Sequence, residues 1–102
     1  MQFTKRLHPG IESGAITCTV RIWKRLHAKV GGRYRVGSAG RGYVEVDSIR
    51  LITFDDITPE LARRSGFAGV VDLLKVAKHG AGEQVYLIEF HFLKGDGREL
   101  NE

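Results

Sequence analysis

Cysteine is almost missing from this chain: Cys18 is the single one in 102 residues. A lone cysteine excludes an intramolecular disulfide and suits a reducing compartment. No apolar run approaches the ~20 residues of a membrane helix, and the opening MQFTKRLHPG has no apolar stretch of the signal-peptide kind. A soluble cytoplasmic domain is therefore expected, with no membrane partner. The four histidines (His8, His27, His79, His91) are scattered and form none of the close ligand pairs of structural zinc sites. No metal and no cofactor are expected. Gly37-Ser38-Ala39-Gly40 lacks the following Gly-Lys-Ser/Thr of a phosphate loop. It joins strands rather than helices, so it reads as a hairpin loop and not a nucleic-acid clamp. Arg41-Gly42-Tyr43-Val44 opens like an RNA-recognition strand, but Glu45 breaks that pattern.

Anions are scarce in one half. Residues 1–41 hold nine cations and one anion, Glu12, a net +8. Residues 42–102 hold seven cations and eleven anions, a net −4. A basic half that also carries Trp23 and Tyr34 is the footprint of an anionic partner such as nucleic acid. At 102 residues the chain suffices for one domain with one core.

Local signals set out the elements. His8–Ser13 reads as a short helical turn with Pro9 at its start and Gly14 at its exit. A strand is expected over Cys18–Trp23, a short one over Arg33–Val36, a loop over 37–42, and a longer strand over Tyr43–Phe54. Its alternation slips near Asp47–Ile49, since Val44 and Val46 lie in one phase and Ile49 and Leu51 in the other. That slip implies a bulge. Asp55-Asp56 reads as turn and capping chemistry. Thr58-Pro59-Glu60 is a helix start, with an N-cap hydroxyl, proline and then a carboxylate. That helix should end at Gly66. Val70–Lys78 forms another, burying Val70, Leu73, Leu74 and Ala77, with Gly80 past its end. Gln84–Leu93 closes the fold with Tyr86, Ile88, Phe90 and Phe92 on one face. The tail 94–102 has no apolar residue beyond Leu100 and is expected to be disordered. The sum is an α+β chain, mostly β, curling into a small barrel.

The strand Cys18–Trp23 carries the chemistry. Cys18, Val20 and Ile22 share its core face, while Thr17, Thr19, Arg21 and Trp23 share the other. A hydroxyl, a guanidinium and an indole on one face form either a solvated surface or a binding wall. Cys18 itself is expected to be buried and unreactive.

Gly14-Ala15-Ile16-Thr17-Cys18-Thr19-Val20-Arg21 resembles the G-x-K-x-x-T-x-R signature of the ASCH domain family. Arg6, Ile11, the Asp56-Ile57-Thr58 helix start and the closing Val85–Phe90 strand fit the same family over residues 1–93. The resemblance implies a PUA-like β-barrel with two or three short helices flanking a cleft, and binding of RNA or a modified nucleoside. One bacterial branch is acetylcytidine amidohydrolase, whose proposed catalytic groups are the signature lysine and threonine with a glutamate. The threonine maps onto Thr19, the arginine onto Arg21 and the glycine onto Gly14. The lysine position holds Ile16, and the glutamate should fall near Ser65, within Arg63-Arg64-Ser65-Gly66.

A threonine hydroxyl needs a base within reach to act as a nucleophile, and Ile16 cannot take its proton. Lys24, Lys5 or His8 would have to substitute. The reading is therefore a binding module for RNA or a nucleotide. Thr19 and Arg21 would hold the ligand, Arg6, Lys24, Arg25 and Arg35 would meet phosphates, and Trp23 or Tyr34 would stack on bases. The alternatives are an amidohydrolase acting on an acetylated cytidine, with Thr19 catalytic, and a protein-interaction domain meeting an acidic partner.

Overall fold

Pro9 and Gly14 bracket the first helix. Pro9 stands in its first turn, where a missing N–H costs nothing. Gly14 closes it at φ 84°, a left-handed conformation that L side chains resist. The computed structural model describes residues 1–37, 42–77 and 84–95. A 3-10 turn at Lys5–Leu7 leads into α1 (His8–Ser13), then β1 (Cys18–Trp23), β2 (Arg33–Arg35) and β3 (Gly42–Ile52). A second 3-10 turn at Phe54–Asp56 precedes α2 (Pro59–Arg64), α3 (Val70–Ala77) and β4 (Gln84–Lys94). The architecture is α+β, a curled four-stranded antiparallel sheet with short helices. Of the expected glycine loop over 37–42, Gly42 already belongs to β3, and residues 38–41, the Lys78 and Gly80 helix end and the tail from 96 lie outside the described residues.

Strand order is β1-β4-β3-β2, so the last strand inserts beside the first and leaves β1 on an edge. Residues opposite one another across a sheet share a face. Thr19 and Arg21 pair with Ile88 and Tyr86, and Val44 and Val46 pair with Phe92 and Phe90. These residues, with Tyr34 opposite Val44, form one face. Cys18, Val20, Ile22, Val85 and Leu87 form the other. The register of β3 jumps from Val46–Phe90 to Ser48–Glu89, which leaves Asp47 as the extra residue of a bulge. The bulge returns Ile49 and Leu51 to the face of Val44 and Val46, as the slipped alternation required.

Both faces are covered. On the first, Phe3 meets Phe90 edge-on at 5.4 Å between centroids, over buried Tyr34, Val44, Val46 and Ile88. On the second, Cys18, Val20, Ile22, Val85 and Leu87 are buried with Leu61, Ala62, Phe67 and Leu73 of the helical side. Each buried valine, leucine, isoleucine or phenylalanine among them contributes on the order of 1.5–3 kcal/mol by leaving water. Central β4 is consequently apolar on both faces along Val85–Ile88, where the sequence pointed to one.

The α2 start matches its signal: Thr58 Oγ1 accepts from Leu61 N–H at 3.1 Å. The expected strand end at Phe54 instead turns into the 3-10 segment. There Asp56 accepts from Thr53 N–H at 2.9 Å and from the Thr53 hydroxyl at 3.1 Å. Those bonds hold the Asp56 carboxyl below its ordinary pKa, the backbone N–H contributing most. Among the described residues no helix is long and apolar enough to cross a membrane.

Candidate binding cleft at the free edge of β1

Two coverings meet along the edge of β1. The N-terminal segment lies over one face and α3 over the other, and a cleft of about 140 Å³ runs between them. Gln2, Thr4 and Leu7 form one wall, and Phe67, Leu73, Val76 and Ala77 the other. The floor is Thr19–Trp23. Phe90 N–H donates to Thr17 C=O at 2.9 Å. In that phase the antiparallel alternation turns the main-chain groups of Val20 and Ile22 away from β4, toward the cleft. Its volume is well under the several hundred Å³ of a site that swallows a whole drug-sized ligand. It admits one ring-sized group with the rest of a ligand outside.

Arg21 dominates the chemistry. Its Nε donates to Thr19 Oγ1 at 3.1 Å, and Nη2 donates to the Gln2 carbonyl. The guanidinium lies 5.0 Å from the Phe3 ring centroid and 5.9 Å from that of Trp23. Burial brings its pKa down to about 10, so it remains a cation at neutral pH. Among the described residues no carboxylate pairs with it. Buried charges normally find an opposite charge; this one rests on neutral oxygens and π-faces, with donors to spare.

The solvated-surface reading of the Thr19 face does not hold. Thr19 is buried and Arg21 half-buried, because the N-terminal segment folds over them, and Trp23 is half-buried beside the His27 and Tyr86 rings. Arg6 sits at the rim with its guanidinium 5.1 Å from the Phe67 centroid. Gly14 caps α1 and lies outside the cleft lining. Lys24 and Arg25 follow β1 on the exposed surface, and Lys5 is exposed. Tyr34 is placed elsewhere: it is buried in the core, and its hydroxyl accepts from Lys29 N–H at 3.1 Å. Alternation could not show this, since Arg33–Arg35 is too short to carry a burial pattern. Arg35 and His8 line a separate hollow of about 350 Å³. Gln2 and Phe3 also line it, so the N-terminal segment partitions the two spaces. His8 Nε2 lies 3.1 Å from the Phe3 carbonyl, which ties the helix start to that segment.

Sequence reasoning missed Gln2, Thr4 and Phe3, which approach β1 only through the fold. A weak signal was present in Phe3, an aromatic residue in an otherwise polar leader. Ile16 packs beside Gly10 and Gly66: a Cβ on either glycine would lie within 2.7 Å of its Cδ1. Ser65 is buried and donates to the Leu61 and Ala62 carbonyls, both at 3.0 Å. Comparison with protein-family models, curated proteins and solved structures gave no match.

Proposed function

We propose that this chain is a binding module for RNA or a nucleotide, of the kind its ASCH resemblance implies, with Arg21 gripping phosphate or a base edge. The observation that carries this reading is Arg21 itself: a desolvated cation between two aromatic rings, with no carboxylate partner among the described residues, on the floor of a cleft. A planar guanidinium with free donors suits bidentate contact with an anion. Trp23 and the outward main-chain groups of Val20 and Ile22 add stacking and hydrogen-bonding partners to the same floor. The +8 charge of residues 1–41 favours approach of a polyanion.

Binding is favoured over hydrolysis by what surrounds Thr19. Its hydroxyl oxygen accepts from Arg21, a cation that takes no proton at neutral pH. The position of the family lysine is an apolar contact, and that of the glutamate is a serine bonded back to its own helix.

The test is titration with single-stranded RNA and with mononucleotides, followed by fluorescence of the single tryptophan, Trp23. Arg21→Ala should weaken binding by roughly 10–100-fold, the loss of one or two charge-assisted hydrogen bonds. Lys94→Ala, at the end of β4, should leave it unchanged; equal effects contradict the cleft assignment. For RNA the log of affinity should fall with log salt by about 0.7 per phosphate contact. A flat response reduces the ligand to a nucleoside. Turnover of acetylcytidine, abolished by Thr19→Ala, would replace the binding reading with the amidohydrolase one. Displacement of RNA by an acidic protein at the same face would favour the interaction-domain reading.

A further inference from the structure

On the face opposite the Thr19 floor, β3 and β4 bring an imidazole and two carboxylates together. Glu45 stands directly across from His91 in register, and Asp47 is the extra residue of the bulge beside them. Nitrogen or oxygen atoms of all three lie within 4.8 Å of one another. His91 Nδ1 is 2.8 Å from Asp47 Oδ1. A carboxylate only accepts, so in the neutral imidazole the proton sits on Nδ1 and Nε2 is left with its lone pair. That lone pair faces Glu45 Oε2 at 3.7 Å. Two acceptors thus confront each other across a gap longer than an N–H···O bond. A cation at the ordinary zinc–imidazole and zinc–carboxylate length of about 2.1 Å from each atom would subtend about 120° there.

The surroundings already orient such ligands. Arg33 Nε donates to the other Glu45 oxygen at 2.8 Å, leaving Oε2 turned toward His91. The Arg33 guanidinium lies 5.6 Å from the Tyr43 ring centroid, which steadies it. Asp47 fixes the imidazole tautomer from the far nitrogen, as carboxylates do behind metal-bound histidines. All of this stands on three paired strands rather than on loops. We infer that Glu45 Oε2 and His91 Nε2, with Asp47 behind the imidazole, form a surface site for a divalent ion of the zinc class, its remaining positions open to water or an exogenous ligand. The mixed nitrogen and oxygen set favours zinc over magnesium, which prefers oxygen alone. The close-pair criterion misses this set because its members lie 44 and 46 residues apart and meet only through strand pairing.

Zinc chloride titrated calorimetrically into the full chain tests the assignment, with the His91 ring nitrogens followed by NMR. One saturable site that perturbs Nε2 is expected, with magnesium binding at least tenfold weaker. His91→Phe and Glu45→Gln should remove the site. Asp47→Asn should weaken it by roughly 10–100-fold, as loss of a supporting carboxylate does. Arg21→Ala, on the other face, should leave it intact whatever its effect on RNA. Urea midpoints of each variant separate lost binding from lost folding. No saturable zinc binding by the folded wild type, undiminished binding by folded His91→Phe, or equal affinity for magnesium would each overturn the proposal.

Discussion

Replacing Arg21 by methionine removes one charge and keeps an unbranched stem between Phe3 and Trp23. A pKa brought down to about 10 by burial means that the folded state disfavours the cation by about 3 kcal/mol. The sign is fixed by linkage. Below pH 10 both folded and unfolded chains hold the proton, so the cost is present in full at pH 7. It is relieved only as pH rises above about 10 toward the ordinary arginine range, where the unfolded chain binds the extra proton. Against it stand the bonds to Thr19 and Gln2, each about 1 kcal/mol net, and two ring contacts of about 0.5 kcal/mol each. The terms nearly cancel, so Arg21→Met should unfold within about 1 kcal/mol of wild type. Arg21→Ala also empties the space between the rings and should cost about 2 kcal/mol or more. Urea unfolding at pH 7, read by Trp23 fluorescence, measures both. Both variants should weaken RNA binding by the same roughly 10–100-fold. A loss above about 3 kcal/mol in Arg21→Met would refute the reasoning, because the guanidinium would then be a tie that holds the fold.

Three further outcomes follow from other parts of the molecule. Gly66→Ala places a side chain at φ 96° and a Cβ 2.7 Å from Leu7 Cδ2 and Ile16 Cδ1, so urea unfolding should show a loss of about 1–3 kcal/mol; an unchanged midpoint contradicts the packing beside Ile16. Burial pushes the Cys18 thiol up, against a smaller opposing pull from Arg64. An aromatic disulfide reagent should therefore label native protein only at its opening rate, and immediate labelling would show the second face to be uncovered. Asp56, held below its ordinary pKa by Thr53, contributes stability that is present above the unfolded carboxyl pKa and lost as pH falls through the lower folded value. Asp56→Asn should flatten that acid limb in unfolding curves measured from pH 5 to pH 2, and an identical limb would remove the cap from the account.

Several features were legible because their causes sit within a few residues. Pro9 with Gly14 and Thr58 with Pro59 encode helix ends through their own backbone and hydroxyl geometry. The slip between Val46 and Ile49 encodes the bulge, since a period of two allows no other way to keep Val44, Val46, Ile49 and Leu51 on one face. The second face of β1 was equally readable from Cys18, Val20 and Ile22, all buried. Thr19 and Arg21 stood out by residue type, but their surroundings did not.

What the tertiary structure alone decided is which distant groups meet. Nothing local to β1 states that the N-terminal segment will cover its polar face, so a strand that reads as half-solvated is buried on both sides at Thr19. Nothing in Arg33–Arg35 states that Tyr34 points into the core. His91 looks like an isolated sheet residue until β4 inserts beside β3 and sets it opposite Glu45. Periodicity records how a segment divides its own side chains between two faces. Which face is then covered, and by what, is fixed by the packing of segments tens of residues apart.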